Sequence, residues 1–442
     1  MNAYEFIGIA GIIIALLAFV YVTIKGVNTI IGAPIVTIII IVFNKMHVMD
    51  SLFGQKDSYV SALANFILAN FSIFLLGAVL AKYMEKSGAT QSIANKILYY
   101  THTDRPYSVL LAIFIISSII TMGGVSFFVV CFALIPMAKP LFKELNIAWN
   151  LVTIPLFAGM ATYTMSMLPG SPSIVNVIPA NALHTTLTAA PILGIICSIF
   201  IVAYSLIYMY YELKKSQKRG ETYSTFVDVK EDVSIAQGML PNFLPSILPM
   251  ITLLLIIIIF RDVNNIILIA LTASILLCAL LFRKQANDHV KILNQGALDS
   301  VIPVFSTSST VAFGTVLASS SAFEVIKSLI MTIPGNPLIS LSISTAILSC
   351  ITGSAAGTVG IVMQSFAADY VAMGIDPQII HRITTIASAS FGIMPYTGLC
   401  ITFNTLAKLS LKQSFRYQFF VVSIGHILTL ILALTLVTFV LA

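Results

Sequence analysis

Thr352-Gly-Ser-Ala-Ala-Gly-Thr358 interrupts an apolar run that extends from Leu338 to Met373, and the reading of this interruption decides the fold. Glycines beside small hydroxyl residues break a helix without making the stretch polar. Free N–H and C=O groups in such a run must face protein or a polar cavity, because hydrocarbon offers them no partner. The run is therefore expected to fold back on itself as a re-entrant hairpin with its tip near Gly353. Thr121-Met-Gly-Gly-Val-Ser126 interrupts Val109–Leu141 in the same way. Each hairpin is followed by a second interrupted segment. Residues 149–181 carry Leu168-Pro-Gly-Ser-Pro-Ser173, and residues 379–409 carry Met394-Pro-Tyr-Thr-Gly398.

Around these four places the composition is that of a membrane protein. Of 442 residues, 58% are hydrophobic and 9% charged, whereas roughly a quarter of the residues of soluble domains are charged. A crossing needs about 20 apolar residues. Uncharged runs place helices near Ile7–Ile24, Val27–Phe43, Tyr59–Ala81 and Pro191–Tyr211, then near Leu244–Phe260, Ile266–Phe282, Gly296–Ser319 and Phe415–Leu441. Lys82–Tyr100 is too charged to cross and Ser320–Met331 too short, so both read as amphipathic pieces. One polar stretch of linker length, residues 212–238, divides the chain near its middle. The expected fold class is an all-α polytopic membrane protein of two repeats. The first covers residues 1–211, with its hairpin at about 109–141; the second covers 239–442, with its hairpin at about 338–373.

The halves share letters in order: Gly77-Ala-Val-Leu-Ala81 with Gly314-Thr-Val-Leu-Ala318, Ile120-Thr121 with Ile351-Thr352, and Leu168-Pro169 with Met394-Pro395. Five crossings and one hairpin per half make the second copy inverted relative to the first. Loop charges agree, since cytoplasmic loops hold the Lys and Arg excess. With the linker inside, Lys214, Lys215, Lys218, Arg219 and most other loop cations gather on the cytoplasmic side. Only Lys45, Lys56, Arg261, Lys327 and Arg382 remain opposite, and both termini then lie outside.

Several functions are excluded by the same reading. The net charge of +6 is scattered over short loops rather than clustered as a nucleic-acid footprint. The five cysteines lie in apolar stretches with no metal spacing, and read as small packing residues. No HExxH, P-loop, GxSxG or EF-hand pattern occurs, so an enzyme is not expected. The N-terminus lacks a basic n-region, and the first apolar run is expected to stay as a helix.

The binding chemistry is expected at the four interruptions, where half-helix N-termini suit a carboxylate. Gly123, Gly124 and Ser126 belong to the first hairpin tip, and Gly170, Ser171 and Ser173 to the first break. Thr352, Gly353, Ser354 and Thr358 belong to the second tip, and Tyr396 and Thr397 to the second break. Asn176 and Asn404, just beyond the breaks, are the amide candidates. Without a cation near mid-span, a small hydroxy carboxylate would be held by backbone dipoles and hydroxyls. Asp299, Asp369 and His426 are the candidate coupling-ion carriers, while Arg382, His381 and other ionisable residues are assigned structural roles near membrane faces.

Thr352-Gly-Ser-Ala-Ala-Gly-Thr-Val-Gly-Ile, with Gly374-Ile-Asp-Pro-Gln-Ile-Ile-His-Arg382, Ile386-Ala-Ser388 and Met394-Pro395, resembles the second-half signature of the gluconate permease family. Gly123-Gly-Val-Ser-Phe-Phe-Val-Val130 and Leu168-Pro-Gly-Ser-Pro-Ser173 resemble its first-half elements. The resemblance spans most of the chain and implies a proton-coupled carrier of the bacterial inner membrane. It also implies a homodimer with an elevator mechanism, in which a transport domain of hairpins and broken helices slides on a scaffold. Such relatives carry gluconate, other sugar acids, 3-hydroxybutyrate, D-serine or citrate. The chain departs from them at Gln364, where gluconate carriers commonly have a carboxylate. A sodium-coupled carrier of the same fold and a passive anion channel are the alternatives.

Overall fold

A computed structural model describes residues 3–93, 96, 106–122, 127–171, 173–227, 240–260, 263, 265–331 and 336–439. Every regular element among them is helical. The first half contains α1 (Ala3–Ile24), α2 (Thr29–Phe43), α3 (Val48–Phe53) and α4 (Tyr59–Lys86). These are followed by α5 (Pro106–Met122), α6 (Phe127–Glu144), a 3-10 turn at Trp149–Val152, α7 (Thr153–Met160), α8 (Tyr163–Ser166), α9 (Ile174–Ala182) and α10 (Pro191–Lys218). The second half contains α11 (Phe243–Ile259), α12 (Ile266–Leu281), α13 (His289–Ala318), α14 (Ser321–Met331), α15 (Pro337–Thr352), α16 (Ala355–Ser365) and α17 (Ala367–Ala372). It closes with α18 (Pro377–Ser390), α19 (Gly398–Ala407), α20 (Leu411–Gln418), a π-turn at Phe419–Ile424 and α21 (Gly425–Phe439).

Local chemistry sets these boundaries. Asn336-Pro337 and Asp376-Pro377 start α15 and α18 with a side-chain cap followed by proline at the first helical position. Ser58 and Ser61 close a capping box at the start of α4. Three ends differ from the expectation because hydropathy undercounts polar helical turns. Lys82–Lys86 is the last turn of α4, and residues 212–218, expected to open the linker, complete α10. The third, α13, begins at His289 under the Asp288 cap. Among the described residues, five helices are long and apolar enough to cross a membrane, and shorter apolar helices accompany them.

The packing of the halves follows one pattern twice. The first arm of each hairpin packs on the first piece of the broken helix of its own half, α5 on α7 and α15 on α18. The second arm packs on the second piece of the opposite half, α6 on α19 and α16 on α9. Between α5 and α7 the approach is so close that a Cβ on Gly159 would lie 1.9 Å from Ser117 Oγ. The matching contact between α15 and α18 is a hydrogen bond from Ser349 Oγ to Ser388 O. The most extensive helix pair joins α4 to α13, which occupy matching places in their halves. They run antiparallel: Tyr83 Oη meets His289 Nδ1 at 3.2 Å at one end, and at the other Asp57 and Ser61 line a cavity with Val311 and Thr315.

Candidate functional site

The broken helices lie antiparallel, the start of each against the end of the other. Trp149 Nε1, at the start of the first, donates to Ala407 O at the end of the second over 2.9 Å. Reciprocally, Arg382, near the start of α18, donates from Nη2 to Ala189 O, beyond the end of α9, over 2.8 Å.

At the first break, residues 167–173, each freed carbonyl finds a donor. Ser171 Oγ donates to Thr164 O and Ser173 Oγ to Met165 O, both over 2.5 Å. Ser166 O accepts from Thr385 Oγ1 at 2.7 Å and from Arg382 Nη1 at 3.3 Å. Gly170 has φ +83 and is exposed, and its N–H donates to Leu187 O. Asn176 is wholly buried and fully used. Its Nδ2 donates to Ser171 O and Leu187 O at 2.8 and 2.9 Å. Its Oδ1 accepts from His381 Nε2 at 2.7 Å and Arg382 Nη1 at 3.4 Å. His426, buried in α21, joins this network with Nε2 2.9 Å from Ser166 Oγ, while its Nδ1 donates to Val422 O.

At the second break, residues 391–397, the partners are uncharged. Tyr396 Oη donates to Cys350 O in α15, and its ring stacks on Phe19 at 5.6 Å. Thr397 Oγ1 donates to Met394 O over 2.9 Å, and Ser423 Oγ from the π-turn reaches Ile393 O at 3.5 Å. Asn404 Oδ1 accepts from Ser414 Oγ at 2.5 Å and Gln418 Nε2 at 3.0 Å. In α13, Thr307 Oγ1 lies 2.5 Å from Thr402 Oγ1 of α19.

The hairpin tip between α15 and α16 abuts this break. Gly353 takes the left-handed conformation, φ +62, that ends α15. A Cβ there would lie 3.2 Å from the Tyr396 ring and 3.3 Å from Thr397. Thr352 and Thr358 hydroxyls face each other at 2.8 Å, and Ser354 caps α16 by accepting from Gly357 N–H. The caps of α9 and α19 behave differently. Ser173 and Thr397 spend their hydroxyls on carbonyls of their own breaks and accept nothing from the first-turn N–H groups.

Residues expected to act together are thus distributed as follows. The second tip and second break meet, through Gly353 against Tyr396 and Thr397. Gly123, Gly124 and Ser126 lie outside the described residues. Asp299 is half-exposed and paired with Lys82 at 2.8 Å, and Asp369 is exposed on α17; neither is at a break. The assignment of Arg382 to a membrane face is corrected: it is wholly buried. Sequence reading missed it because His381-Arg382 follows the Asp376-Pro377 start signal, where cations usually mark a helix end in a loop. No local signal marks it: residues 380–390 are all buried although more than half of them are polar, and that burial comes from the helices packed around α18.

Helical hairpins, interrupted helices and long apolar spans define the class, a multi-pass membrane protein. The chain belongs to the GntP family of permeases, whose family model, "GntP family permease", matches residues 6–440. It is similar to a Bacillus subtilis (strain 168) protein named "Uncharacterized transporter YxjC". The two are 29% identical over 450 residues, covering 92% of this chain and 93% of the relative.

Proposed function

We propose that the chain is a secondary active transporter of the bacterial inner membrane that imports a small hydroxy carboxylate by proton symport. The observation that carries this reading is the pair of half-helices α9 and α19, one from each broken helix, whose cap residues accept no hydrogen bond from first-turn N–H groups. Such N-termini favour an anion by charge and by unused donors. The antiparallel α4–α13 pair and the exchanged hairpin contacts support two inverted repeats about a pseudo-two-fold axis. On that basis the hairpins and broken helices form a transport domain that moves as an elevator against α1, α2, α4 and their counterparts, in a homodimer with external termini. Substrate is assigned to Gly170, Ser171, Ser173 and Asn176 on one side and to Thr352, Gly353, Ser354, Thr358, Tyr396, Thr397 and Asn404 on the other. Gly123, Gly124 and Ser126 complete the set, and Asp299, Asp369 and His426 are the candidate proton carriers.

The test is uptake of labelled hydroxy acids into proteoliposomes under an imposed inward proton gradient. Accumulation that collapses with a protonophore is expected; uptake indifferent to the gradient removes proton coupling. The facing hydroxyls of Thr352 and Thr358, with Ser354 O accepting from Thr358 at 2.8 Å, also suit a sodium ion. Uptake that requires external Na+ at fixed pH selects that reading, and single-channel conductance selects a passive pore.

A further inference from the structure

Arg382 is wholly buried, yet no carboxylate among the described residues is paired with it. Other cations differ: Arg416 lies 2.6 Å from Glu212, and Lys82 lies 2.8 Å from Asp299. The guanidinium instead donates to neutral oxygens, Ala189 O from Nε and Nη2 and Ser166 O and Asn176 Oδ1 from Nη1. Its neighbour adds no compensating charge. Because Asn176 Nδ2 already donates to two carbonyls, Oδ1 is an acceptor and His381 Nε2 must carry the proton. His381 Nδ1 lies 2.8 Å from Thr185 Oγ1, a hydroxyl that donates or accepts, and in neither form does the imidazole carry a negative charge to offset the guanidinium. A buried, unpaired cation is costly, and carbonyl dipoles offset that cost only in part.

Among the described residues the second break has no equivalent. In the corresponding turns of the first broken helix stands Thr153, a buried hydroxyl, and the groups around Asn404 are Ser414, Gln418 and Cys400. One break therefore lies in a positive field and the other in a neutral one. Asn176, which touches Arg382, is the third residue of α9, so the guanidinium and the uncapped half-helix N-terminus act on the same break with the same sign.

We propose that Arg382 sets the charge selectivity of transport: its uncompensated guanidinium makes the 167–173 break the seat of the substrate's carboxylate and leaves the hydroxylated end to the 391–397 break. The inference rests on the carboxylate-transport reading and assigns the substrate's orientation within it. Arg382 is a positioning residue, acting through Asn176 and Ser166 O rather than by contact.

The experiment compares proteoliposome uptake of 3-hydroxybutyrate or gluconate, whichever the wild type takes up faster, with that of its primary amide. The variants are Arg382→Lys, Arg382→Gln and Asn176→Asp. In Arg382→Gln the acid-to-amide ratio of kcat/KM falls by about 30-fold, the effect of one charge acting over ~8 Å at an effective dielectric near 20. Arg382→Lys keeps most of the preference. Asn176→Asp, which places a carboxylate on the guanidinium, loses it while Arg382 is still present. An Arg382→Gln protein that transports both compounds more slowly at an unchanged ratio reduces Arg382 to a structural brace and overturns the proposal. If Arg382→Gln is not recovered folded, an unchanged ratio in Asn176→Asp overturns it, as does a wild type that takes up acid and amide equally. Wild-type uptake of the acid tests the transport reading; the ratios test Arg382.

Discussion

The two breaks are built from similar letters and held in opposite ways. The first is fastened largely from outside its own half: Thr385, Arg382 and His381 of α18 and His426 of α21 all bond to it or to Asn176. The second and the helix after it take their hydrogen bonds from their own half, through Cys350, Thr307, Ser414, Gln418 and Ser423, and the first half adds the stacking of Phe19 on Tyr396. The difference shows that similar backbone breaks can be held by unlike side chains: one is surrounded by a guanidinium and two imidazoles, the other by hydroxyls and amides.

Asn176→Ala tests the contrast most severely. It removes four buried hydrogen bonds, including those to His381 and Arg382, and about 3 kcal/mol of stability is expected to go with them. A detergent thermal-shift series measures this, and a loss no larger than that of Asn404→Ala would erase the distinction between the breaks. Gly353→Val comes next. A side chain at φ +62 costs about 1–2 kcal/mol and would press on Tyr396 and Thr397. Uptake is expected to vanish while membrane insertion, read by fractionation, is retained; normal uptake would remove the second tip from the site. Asn404→Ala is expected to lose about 1 kcal/mol, since only local bonds to Ser414 and Gln418 go, and to abolish uptake. The smallest effect belongs to Asp299→Asn. Its pair with Lys82 is half-exposed, so stability should move by less than about 0.5 kcal/mol. Loss of gradient-driven uptake at unchanged thermal stability would make Asp299 the coupling group.

The turn at Gly353, the two breaks and the order of the described helices were legible in the sequence because glycine, proline and hydroxyl residues within apolar runs leave few backbone solutions. Thr352–Thr358 and Met394–Gly398 announce themselves in this way. The lining of the first break was not legible. His381 and Arg382 lie about 205 residues from Asn176 in sequence, and nothing local indicates that α18 is surrounded on all sides. A cation just after Asp-Pro has the same letters whether it faces headgroups or the interior. Likewise His426 could be seen to lie deep in the last span, but its partner Ser166 is set by the tertiary packing of the two halves.

The π-turn at Phe419–Ile424 inserts its extra residue between α20 and α21, upstream of the points where α21 and the turn reach the two breaks. If that residue were absorbed, everything beyond it would rotate by about 100°. Ser423, near the end of the turn, and His426, three residues on and nearly on the same face, would then swing together away from Ile393 O and Ser166. The chain's last helix is thus phased like a key with two teeth, and its wider winding is what lets one rod engage two locks.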